Sequence, residues 1–327
     1  MNIMTVKEKT AAILEQNRGK YISGADIASE LGVSRNAVWK AIKSLTAEGF
    51  QIDAVTNKGY CLAEGSDVLS EQSVKKYLPE ELWEHLIVRH TVTSTNTLLK
   101  EMAAKGAPEG TIMIAAEQTA GKGRFDRKFV SEVCGVYFSI VLRPSIPASE
   151  ALMITTAAAA ATAEAVEAVS GRKTGIKWVN DVFIDGKKIC GILTEAAFGM
   201  EGGGLDYAVL GIGINVKAPE GGFKGELANI ADGVFGEDED VTDARSRIAA
   251  EVIKRFFEYY RNLESKSYLE DYRKRSIVIG KDVILINGGT TQEAHVTGID
   301  DDCRLLVTLP DGTKKAVSSG EISLRLK

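Results

Sequence analysis

Residues 112–142 read IMIAAEQTAGKGRFDRKFVSEVCGVYFSIVL. The stretch begins and ends with apolar runs, at residues 112–116 and 135–142, of the kind that form buried β-strands. Between them lies the segment Gly121-Lys122-Gly123-Arg124-Phe125-Asp126-Arg127-Lys128-Phe129, where glycines allow the backbone to approach an anion and four side chains carry positive charge. The pattern predicts two core strands joined by a loop that binds phosphate or carboxylate. A strand connection with solvated charges is the alternative.

Composition indicates an ordinary globular protein of more than one domain. The 327 residues are 44% hydrophobic and 26% charged. A net charge of -5 argues against a chain that is coated in nucleic acid throughout, although a locally basic module stays possible. The cysteines lie far apart, and no apolar run reaches the ~18 residues that span a bilayer. We therefore expect a cytoplasmic protein with reduced thiols and no membrane contact.

The first module has the pattern of a winged helix-turn-helix. Residues 5–17 carry apolar residues at helical spacing, and Ser23 and Ser34 stand where they can cap two further helices. Residues 50–62 then alternate like a hairpin with a basic tip. A DNA-binding domain over residues 1–66 is the prediction, and a small helical domain used for protein contacts is the alternative.

The third helix and the wing carry the residues that suit base edges and phosphates. These are Ser34, Arg35, Asn36, Lys40 and Lys43 in the helix and Lys58 at the wing tip. Trp39 is equally compatible with packing and with DNA contact.

The central region is predicted to be a mixed α/β domain. We expect a helix over residues 69–82 that ends near Pro79, further helices at 151–169 and 243–276, and a strand, hairpin turn and strand over residues 175–195. Ser94, Thr95 and Asn96 begin a further helix, where such residues usually serve only as caps. Lys188 either points into a cavity beside Gly191 or is solvated like its neighbour Lys187. From residue 277 the pattern changes to short strands typical of a small five-stranded barrel.

Five motifs in order carry a resemblance to a known family. They are Ser94-Thr95-Asn96 with Gln118, Gly121-Lys122-Gly123-Arg124, Lys177-Trp178-Val179-Asn180-Asp181, Lys188-Ile189-Cys190-Gly191-Ile192-Leu193 and Gly211-Ile212-Gly213-Ile214-Asn215. Behind a winged helix-turn-helix, this set resembles the biotin protein ligases of the bifunctional, biotin-operon-repressor class over nearly the whole chain. The chain departs from the family pattern at Val179, Lys122 and Phe129, where Pro, Arg and Trp are usual.

The resemblance implies an α/β (α+β) fold with three domains. A winged helix-turn-helix domain covers residues 1–66, a mixed-sheet, class II synthetase-like ligase domain covers 67–275, and an SH3-like β-barrel covers 276–327. The implied activity is ATP-dependent and AMP-forming: biotin and MgATP yield biotinyl-5'-adenylate, and biotin then passes to a lysine of a biotin carboxyl carrier protein. The adenylate is expected to act as corepressor by promoting a homodimer on operator DNA.

The resemblance also implies roles for individual residues. The implied catalytic residues are Lys188, Arg124 and Asp181. The implied biotin-binding residues are Ser94, Thr95, Asn96, Gln118, Gly121, Lys122, Gly123, Arg124, Lys188 and Gly191. The implied adenylate residues are Lys122, Arg124, Arg127, Phe129, Lys188 and Asn215. A ligand-sensing transcription factor without the chemistry, and a lipoate ligase on the same fold, are the competing interpretations.

Overall fold

The structure, a computed structural model, describes residues 5–125, 127–147, 150–198, 205–239, 241–287, 290–318 and 322–326. Within these ranges the strands form a two-stranded, a seven-stranded and a five-stranded sheet. The two-stranded sheet belongs to the first module, and the other two follow it along the chain.

The first module is the predicted winged helix-turn-helix. Its elements are α1 Val6–Gln16, α2 Gly24–Leu31, α3 Arg35–Ala47, β1 Ile52–Val55 and β2 Gly59–Leu62. Ser23 and Ser34 cap α2 and α3 by accepting the N–H groups of Asp26 at 3.1 Å and Ala37 at 3.2 Å. Gly32 ends α2 with a left-handed φ of 65°. Local capping signals therefore decide where these helices begin and end.

The next elements build the central domain. In chain order they are α4 Glu71–Lys75, β3 Leu86–Val92, α5 Thr95–Ala104, β4 Ile112–Gln118, β5 Val136–Leu142, α6 Leu152–Ser170, β6 Gly175–Lys177, β7 Asp181–Ile184, β8 Lys187–Phe198, β9 Leu205–Ile214, α7 Ala244–Tyr260 and α8 Leu269–Lys274. The sheet has the strand order β3-β4-β5-β9-β8-β7-β6. Only β3 and β4 pair in parallel among the described ladders, so the predicted mixed sheet is confirmed.

Two helix predictions in this domain were too long. The expected helix over residues 69–82 is replaced by α4 and a 3₁₀ turn, Glu80–Leu82, because Pro79 lacks an N–H group and restricts the residue before it. The expected helix over residues 243–276 is split into α7 and α8 by a segment in which Lys266 adopts a left-handed φ of 52°. In the same way, residues 178–180 interrupt the strand expected from residue 175 to 184.

Helices cover both faces of the sheet. On the strands, alternate residues enter two separate apolar clusters, one shared with α5 and one shared with α6 and α7. The alanine-rich α6 is long and apolar enough to cross a membrane by length and composition alone, but 72% of that span is buried inside the fold. Small side chains bring α6 close to the sheet, as expected for a core helix.

The C-terminal strands form an antiparallel sheet docked on the central domain. They are β10 Asp282–Asn287, β11 Thr290–Ile299, β12 Leu305–Thr308, β13 Lys314–Val317 and β14 Ile322–Leu326. β10 pairs with both β11 and β14, so the first and last strands of the unit are neighbours. The indole N–H of Trp178 donates to the carbonyl of Cys303 at 3.0 Å and joins the two units.

Buried charges connect the helix-turn-helix to the start of α7. Asp243 is only 1% exposed, and its carboxylate lies 2.7 Å from the guanidinium of Arg18. Lys76 and the hydroxyl of Tyr77 each donate to the other carboxylate oxygen at 2.8 Å. The first module is therefore tied to the central domain by the Arg18–Asp243 ion pair, which is largely withdrawn from water, whereas Lys76 is half exposed.

Arg245, two residues further on, joins three segments. Its backbone N–H and guanidinium donate to the carboxylate of Asp67, which lies in the linker after the first module. The same guanidinium donates to the carbonyl of Val133 at 2.8 Å, in the segment that precedes β5. One side chain thus bonds both to the linker and to the segment that follows the glycine-rich loop.

Candidate functional site

One face of strands β5, β9 and β8 forms the floor of the candidate site. The strand register places Tyr137, Gly213 and Gly191 side by side, and next to them Ser139, Gly211 and Leu193. Side chains alternate between the faces of a sheet, so these residues share one face. Its three glycines leave space in which other parts of the chain lie directly on the backbone.

A group of uncharged donors and acceptors stands at the start of α5. The backbone N–H of Thr95 donates to the side-chain oxygen of Gln118 at 2.8 Å, and the Thr95 hydroxyl lies 3.1 Å from the same oxygen. The amide nitrogen of Gln118 donates to Ser131 at 3.0 Å. Ser94 caps the helix by accepting the N–H of Thr97 at 3.4 Å, which is the structural role considered for it above. This group suits a neutral, hydrogen-bonding ligand.

Asn96 lies directly on the sheet. It is 5% exposed, and a Cβ atom on Gly211 would lie 2.0 Å from its side-chain oxygen. Its amide nitrogen contacts the carboxylate of Glu195 at 3.0 Å and the carbonyl of Leu193 at 3.4 Å. The hydroxyl of Ser139 lies 2.6 Å from its oxygen. Asn96 is therefore fully engaged with protein groups and supports the pocket from behind.

The glycine-rich loop connects β4 to β5, as predicted. Within its described residues, the N–H of Gly123 donates to the carbonyl of Arg127 at 2.7 Å. The N–H of Phe129 donates to the carbonyl of Gly121 at 3.0 Å. Gly121 is buried, and a Cβ atom there would lie 2.4 Å from the carbonyl oxygen of Phe129. Lys122 and Arg127 are exposed. The loop therefore folds back on itself and places these cations at the mouth of the site.

The ring of Phe129 covers the floor of the site. Cβ atoms built on Gly213 and Gly191 would lie 2.6 Å and 2.9 Å from ring carbons of Phe129. The ring also meets Tyr137 edge-on, with 6.2 Å between the ring centroids. A planar ligand that reaches this part of the sheet must stack on Phe129 or displace it.

Lys188 and Asp181 form an ion pair at the edge of this floor. The ammonium nitrogen lies 2.7 Å from a carboxylate oxygen, and the side chains are 27% and 21% exposed. The same nitrogen would lie 3.3 Å from a Cβ atom on Gly191, so Lys188 is turned toward the site. Lys187 instead donates to the carbonyl of Asn229. Lys188 therefore points toward the site beside Gly191, as the first of its two sequence interpretations predicted, and Lys187 does not.

Arg124 brings a second cation to the same place. Its guanidinium donates to the side-chain oxygen of Asn180 at 3.1 Å, and Asn180 in turn donates to the carbonyl of Ile192 at 2.9 Å. Burial and the nearby charge of Arg127 lower the pKa of Arg124, while the Asp181 carboxylate opposes that shift. A guanidinium that is short of water and close to other cations is prepared to bind an anion.

The amide of Asn215 bonds to the backbone of a neighbouring segment. Asn215 is 6% exposed, and its amide donates to the carbonyl of Asp232 at 3.2 Å. The segment that it holds also accepts the backbone N–H of Lys188 through the carbonyl of Ile230 at 2.7 Å. Asn215 therefore supports the strand that carries Lys188, and its contact with the adenylate stays a prediction.

Sequence reasoning assigned no role to four residues that support the site. They are Ser131, Ser139, Asn180 and Glu195. Ser139 is a hydroxyl residue in the middle of an apolar strand, and Glu195 is a carboxylate near the end of another. Buried polar groups need partners, so polar residues inside apolar strands were the available signal.

The outer face of α3 forms a candidate nucleic-acid interface. Val38, Ile42 and Leu45 are buried. Arg35, Asn36, Lys40, Lys43 and Lys58 are all exposed, as predicted. Trp39 is 50% exposed, with the Lys43 ammonium 5.3 Å from its ring centroid. Trp39 therefore lies on the interface rather than in the core.

The protein itself offers little to a metal ion. In the part of the chain that the structure describes, no group of three or more His, Cys, Asp or Glu side chains could hold one. Of the carboxylates named above, Asp181 is engaged with Lys188, and Glu195 with Lys100 and Asn96. The described residues of the site therefore form no cage of protein ligands for a metal ion.

Family comparisons match the chain in three segments. Residues 7–61 match a helix-turn-helix domain, residues 88–215 match the biotin/lipoate A/B protein ligase family, and residues 278–325 match the biotin protein ligase C-terminal domain. The last two segments contain the candidate site and the C-terminal sheet, respectively.

Individual proteins extend these matches along the chain. A bifunctional ligase/repressor BirA from Bacillus spizizenii is 34% identical over 96% of this chain and 98% of its own length. A protein of the same name from Escherichia coli is 29% identical over 98% of each chain. A biotin protein ligase from Aquifex aeolicus, solved in complex with biotin and ATP, superposes with a TM-score of 0.61 at 27% identity and covers 75% of this chain and 100% of that chain. The chain therefore belongs to the biotin protein ligase family, among the bifunctional ligase/repressor proteins that carry a helix-turn-helix domain in front of the ligase domain.

Proposed function

We propose that this protein is both a biotin protein ligase and the repressor of a biotin operon. It forms biotinyl-5'-adenylate from biotin and ATP and transfers biotin to a lysine of a biotin carboxyl carrier protein. Residues 1–66 bind operator DNA, residues 67–275 carry out the chemistry and residues 276–327 form the SH3-like domain. The adenylate serves as corepressor of a homodimer in the cytoplasm. The observation that carries the proposal is the convergence of Lys188, Asp181 and Arg124 beside an uncharged polar pocket on one sheet face.

In the first step, a carboxylate oxygen of biotin attacks the α-phosphorus of ATP. The bond between the α-phosphorus and the bridging oxygen breaks, and pyrophosphate leaves. Two anions must approach each other, and the ammonium of Lys188 and the guanidinium of Arg124 offset their repulsion. The exposed cations Lys122 and Arg127 extend this positive field to the mouth of the site.

In the second step, the amine of the carrier lysine attacks the acyl carbon of the adenylate, and AMP leaves. The amine must first lose a proton, because an ammonium group has no free electron pair. Asp181 is the carboxylate in place to receive that proton or to hold the incoming lysine once Lys188 turns to the substrate anion.

The remaining residues divide between the two halves of the ligand. Thr95 and Gln118 are proposed to bind the cyclic urea of biotin, with Ser94 and Asn96 supporting them. The backbone of Gly121 and Gly123 approaches the ligand, and Gly191 leaves space for it. Phe129 is proposed to stack on the adenine.

Mg²⁺ is proposed to accompany ATP. Magnesium keeps several waters and is bound through substrate phosphates more readily than by an all-protein cage. When bound, the ion would neutralise charge on the phosphates of ATP.

Biotin-dependent exchange of pyrophosphate into ATP tests the enzyme proposal. Purified protein is expected to exchange labelled pyrophosphate only when biotin is present, and an equal concentration of lipoate is the control. Exchange with lipoate alone would assign the chain to lipoate ligation. No exchange with either acid, together with measurable biotin binding, would support a sensor that has lost the chemistry.

Replacement of Lys43 by alanine tests the DNA interface. We expect the variant to bind DNA of any sequence about tenfold more weakly than wild type, because one phosphate contact is lost. The slope of log affinity against log salt concentration should decrease in magnitude by about 1. Fluorescence anisotropy with DNA selected from a random pool measures both quantities. Lys9→Ala, which removes an exposed charge from α1, is the matched control. Equal losses in the two variants would remove α3 as the DNA-reading helix.

A further inference from the structure

Trp39 differs from the other two tryptophans of the chain. Trp83 and Trp178 donate their indole N–H groups to the carbonyls of Leu78 and Cys303 at 2.8 Å and 3.0 Å. Trp39 is 50% exposed, is not part of the apolar core of the first module, and makes no hydrogen bond within the part of the chain that the structure describes. Its ring edge and its N–H group therefore remain available for contact with another molecule.

Helix geometry directs this ring toward the start of α3. Side chains on an α-helix lean toward its N-terminus, so each covers the turn before its own residue. The ammonium of Lys43 accordingly lies 5.3 Å from the ring centroid of Trp39, one turn earlier. By the same geometry, Trp39 leans toward Arg35 and Asn36 in the first turn of the helix. In a helix-turn-helix, the N-terminal residues of the second helix are the ones that contact base edges in the major groove.

The charges around Trp39 favour a polyanion as its partner. Helix α3 carries Arg35, Lys40 and Lys43 and no acidic residue between Arg35 and Ala47. All three cations are exposed, and none of them forms an ion pair with another described residue. These side chains stand on the turns before and after the indole, where they attract phosphates. DNA is therefore favoured over the surface of another protein as the molecule that covers Trp39.

Thymine is the base that an indole ring can distinguish in the major groove. Every base pair presents hydrogen-bond acceptors there, so the indole N–H alone does not select one pair. The C5-methyl group of thymine is the apolar group that the bases present in this groove. An apolar ring edge that enters the groove therefore gains most where it covers this methyl group and removes it from water.

We propose that Trp39 is a specificity-determining residue of the DNA-binding module and covers the C5-methyl group of one thymine in each half-site of the operator. The inference deepens the DNA-binding part of the proposed function and rests on it. Lys43, which lies over the indole, binds phosphate while the ring reads the base. The two side chains thus combine sequence readout with backbone contact.

Replacement of single thymines by deoxyuridine tests the inference, because it removes the methyl group and leaves the base pair intact. Full-length protein with biotin and ATP is measured by fluorescence anisotropy on duplexes that wild type has selected from a random pool. We expect one thymine in each half-site at which the replacement weakens binding by wild type about fourfold, the contribution of one buried methyl-sized group. In Trp39→Ala, thymine and deoxyuridine at this position should bind equally. Both should bind about fourfold or more weakly than thymine DNA binds to wild type.

Tyr21→Ala is the matched control for this experiment. Tyr21 is also an exposed aromatic residue of the first module, and the ammonium of Lys58 lies 5.7 Å from its ring centroid, but it stands outside α3. The fourfold effect of the methyl group should persist in this variant, whatever its overall affinity. Thermal unfolding of both variants at the wild-type midpoint would show that neither exposed ring is needed for folding.

Three results would overturn the inference. The first is a wild type that binds every deoxyuridine duplex as tightly as the thymine duplex, and this measurement decides even if a variant fails to fold. The second is a Trp39→Ala variant that loses the same factor on both DNAs, since the ring would then only support Lys43. The third is loss of the methyl effect in Tyr21→Ala as well. Absence of DNA binding by wild type would instead remove the repressor half of the proposed function, and the inference with it.

Discussion

Replacement of Lys188 by alanine is expected to reduce biotin-dependent pyrophosphate exchange by about 10²- to 10³-fold. The lost ammonium is the cation closest to Asp181 and is turned toward the site floor. Without it, the carboxylate of biotin and the α-phosphate approach each other with less compensating charge. The loss should fall mainly on kcat, because the charge matters most when the two anions are closest. Steady-state exchange at saturating biotin and ATP measures it.

Lys187→Ala is the matched control for this experiment. Lys187 is the preceding residue on the same strand, but its ammonium donates to the carbonyl of Asn229. We expect exchange at the wild-type rate in this variant. Wild-type exchange in Lys188→Ala, or an equal loss in both variants, would contradict the role assigned to Lys188.

Replacement of Asp243 by asparagine is expected to weaken the attachment of the first module by roughly 2–3 kcal/mol. The change removes one of the two carboxylates that bind Arg18, a side chain only 11% exposed that keeps Glu15, whereas Lys76 can still reach water. Asparagine is preferred over alanine because Asp243 has a φ of 53°, which Asn tolerates. The variant therefore isolates the loss of charge from backbone strain.

Cleavage after Glu64 by a glutamate-specific protease measures this effect. The Glu64 side chain is exposed, but its backbone carbonyl accepts from Arg18, so detachment of the first module frees the linker backbone to enter a protease. If the first module must detach before the protease can cut, a decrease of about 2 kcal/mol in the free energy of detachment accelerates cleavage by about 30-fold. Asp206→Asn, an exposed carboxylate 4.0 Å from Arg143, is the control and should cleave like wild type. Equal cleavage of Asp243→Asn and wild type would show that the pair contributes nothing to docking.

The same comparison has a defined pH dependence. Burial raises the pKa of Asp243, but hydrogen bonds from Lys76 and Tyr77 and the charge of Arg18 outweigh it and lower the pKa. A carboxyl group with a lowered pKa stabilises the folded state above its ordinary value near 4, and this contribution is lost as the pH falls through the lowered value. The difference in cleavage rate between wild type and Asp243→Asn should therefore become smaller as the pH is lowered.

Local signals in the sequence were sufficient for most of the fold. Ser23, Ser34 and Gly32 mark helix ends through their own backbone and side chains, so the helix-turn-helix was predictable without tertiary information. The alternation of apolar residues likewise located most strands. The helix predicted over residues 69–82, ending near Pro79, was too long, because α4 already ends at Lys75 and a separate 3₁₀ turn follows the proline.

The supporting residues of the site could not be found in this way. Ser139 is separated by 43 residues from Asn96, and Asn96 by 99 from Glu195, so their contacts exist only after the sheet has assembled. The resemblance named the residues expected to touch the ligand, including Asn215. It did not show that the Asn215 amide is used by Asp232, or that Asn180 holds Arg124. Partners across the fold decide which polar side chains remain available.

Arg245 is placed to link ligand binding in the central domain to DNA binding by the first module. A single guanidinium bonds to Asp67 in the linker and to Val133 in the segment after the loop. If occupancy of the site moves Val133 and thereby changes the bond to Asp67, the free energy that the ligand passes to the DNA-binding module equals the free energy that DNA returns to the ligand. If the adenylate raises the affinity of the protein for operator DNA by some factor, operator DNA must raise the affinity of the protein for the adenylate by the same factor.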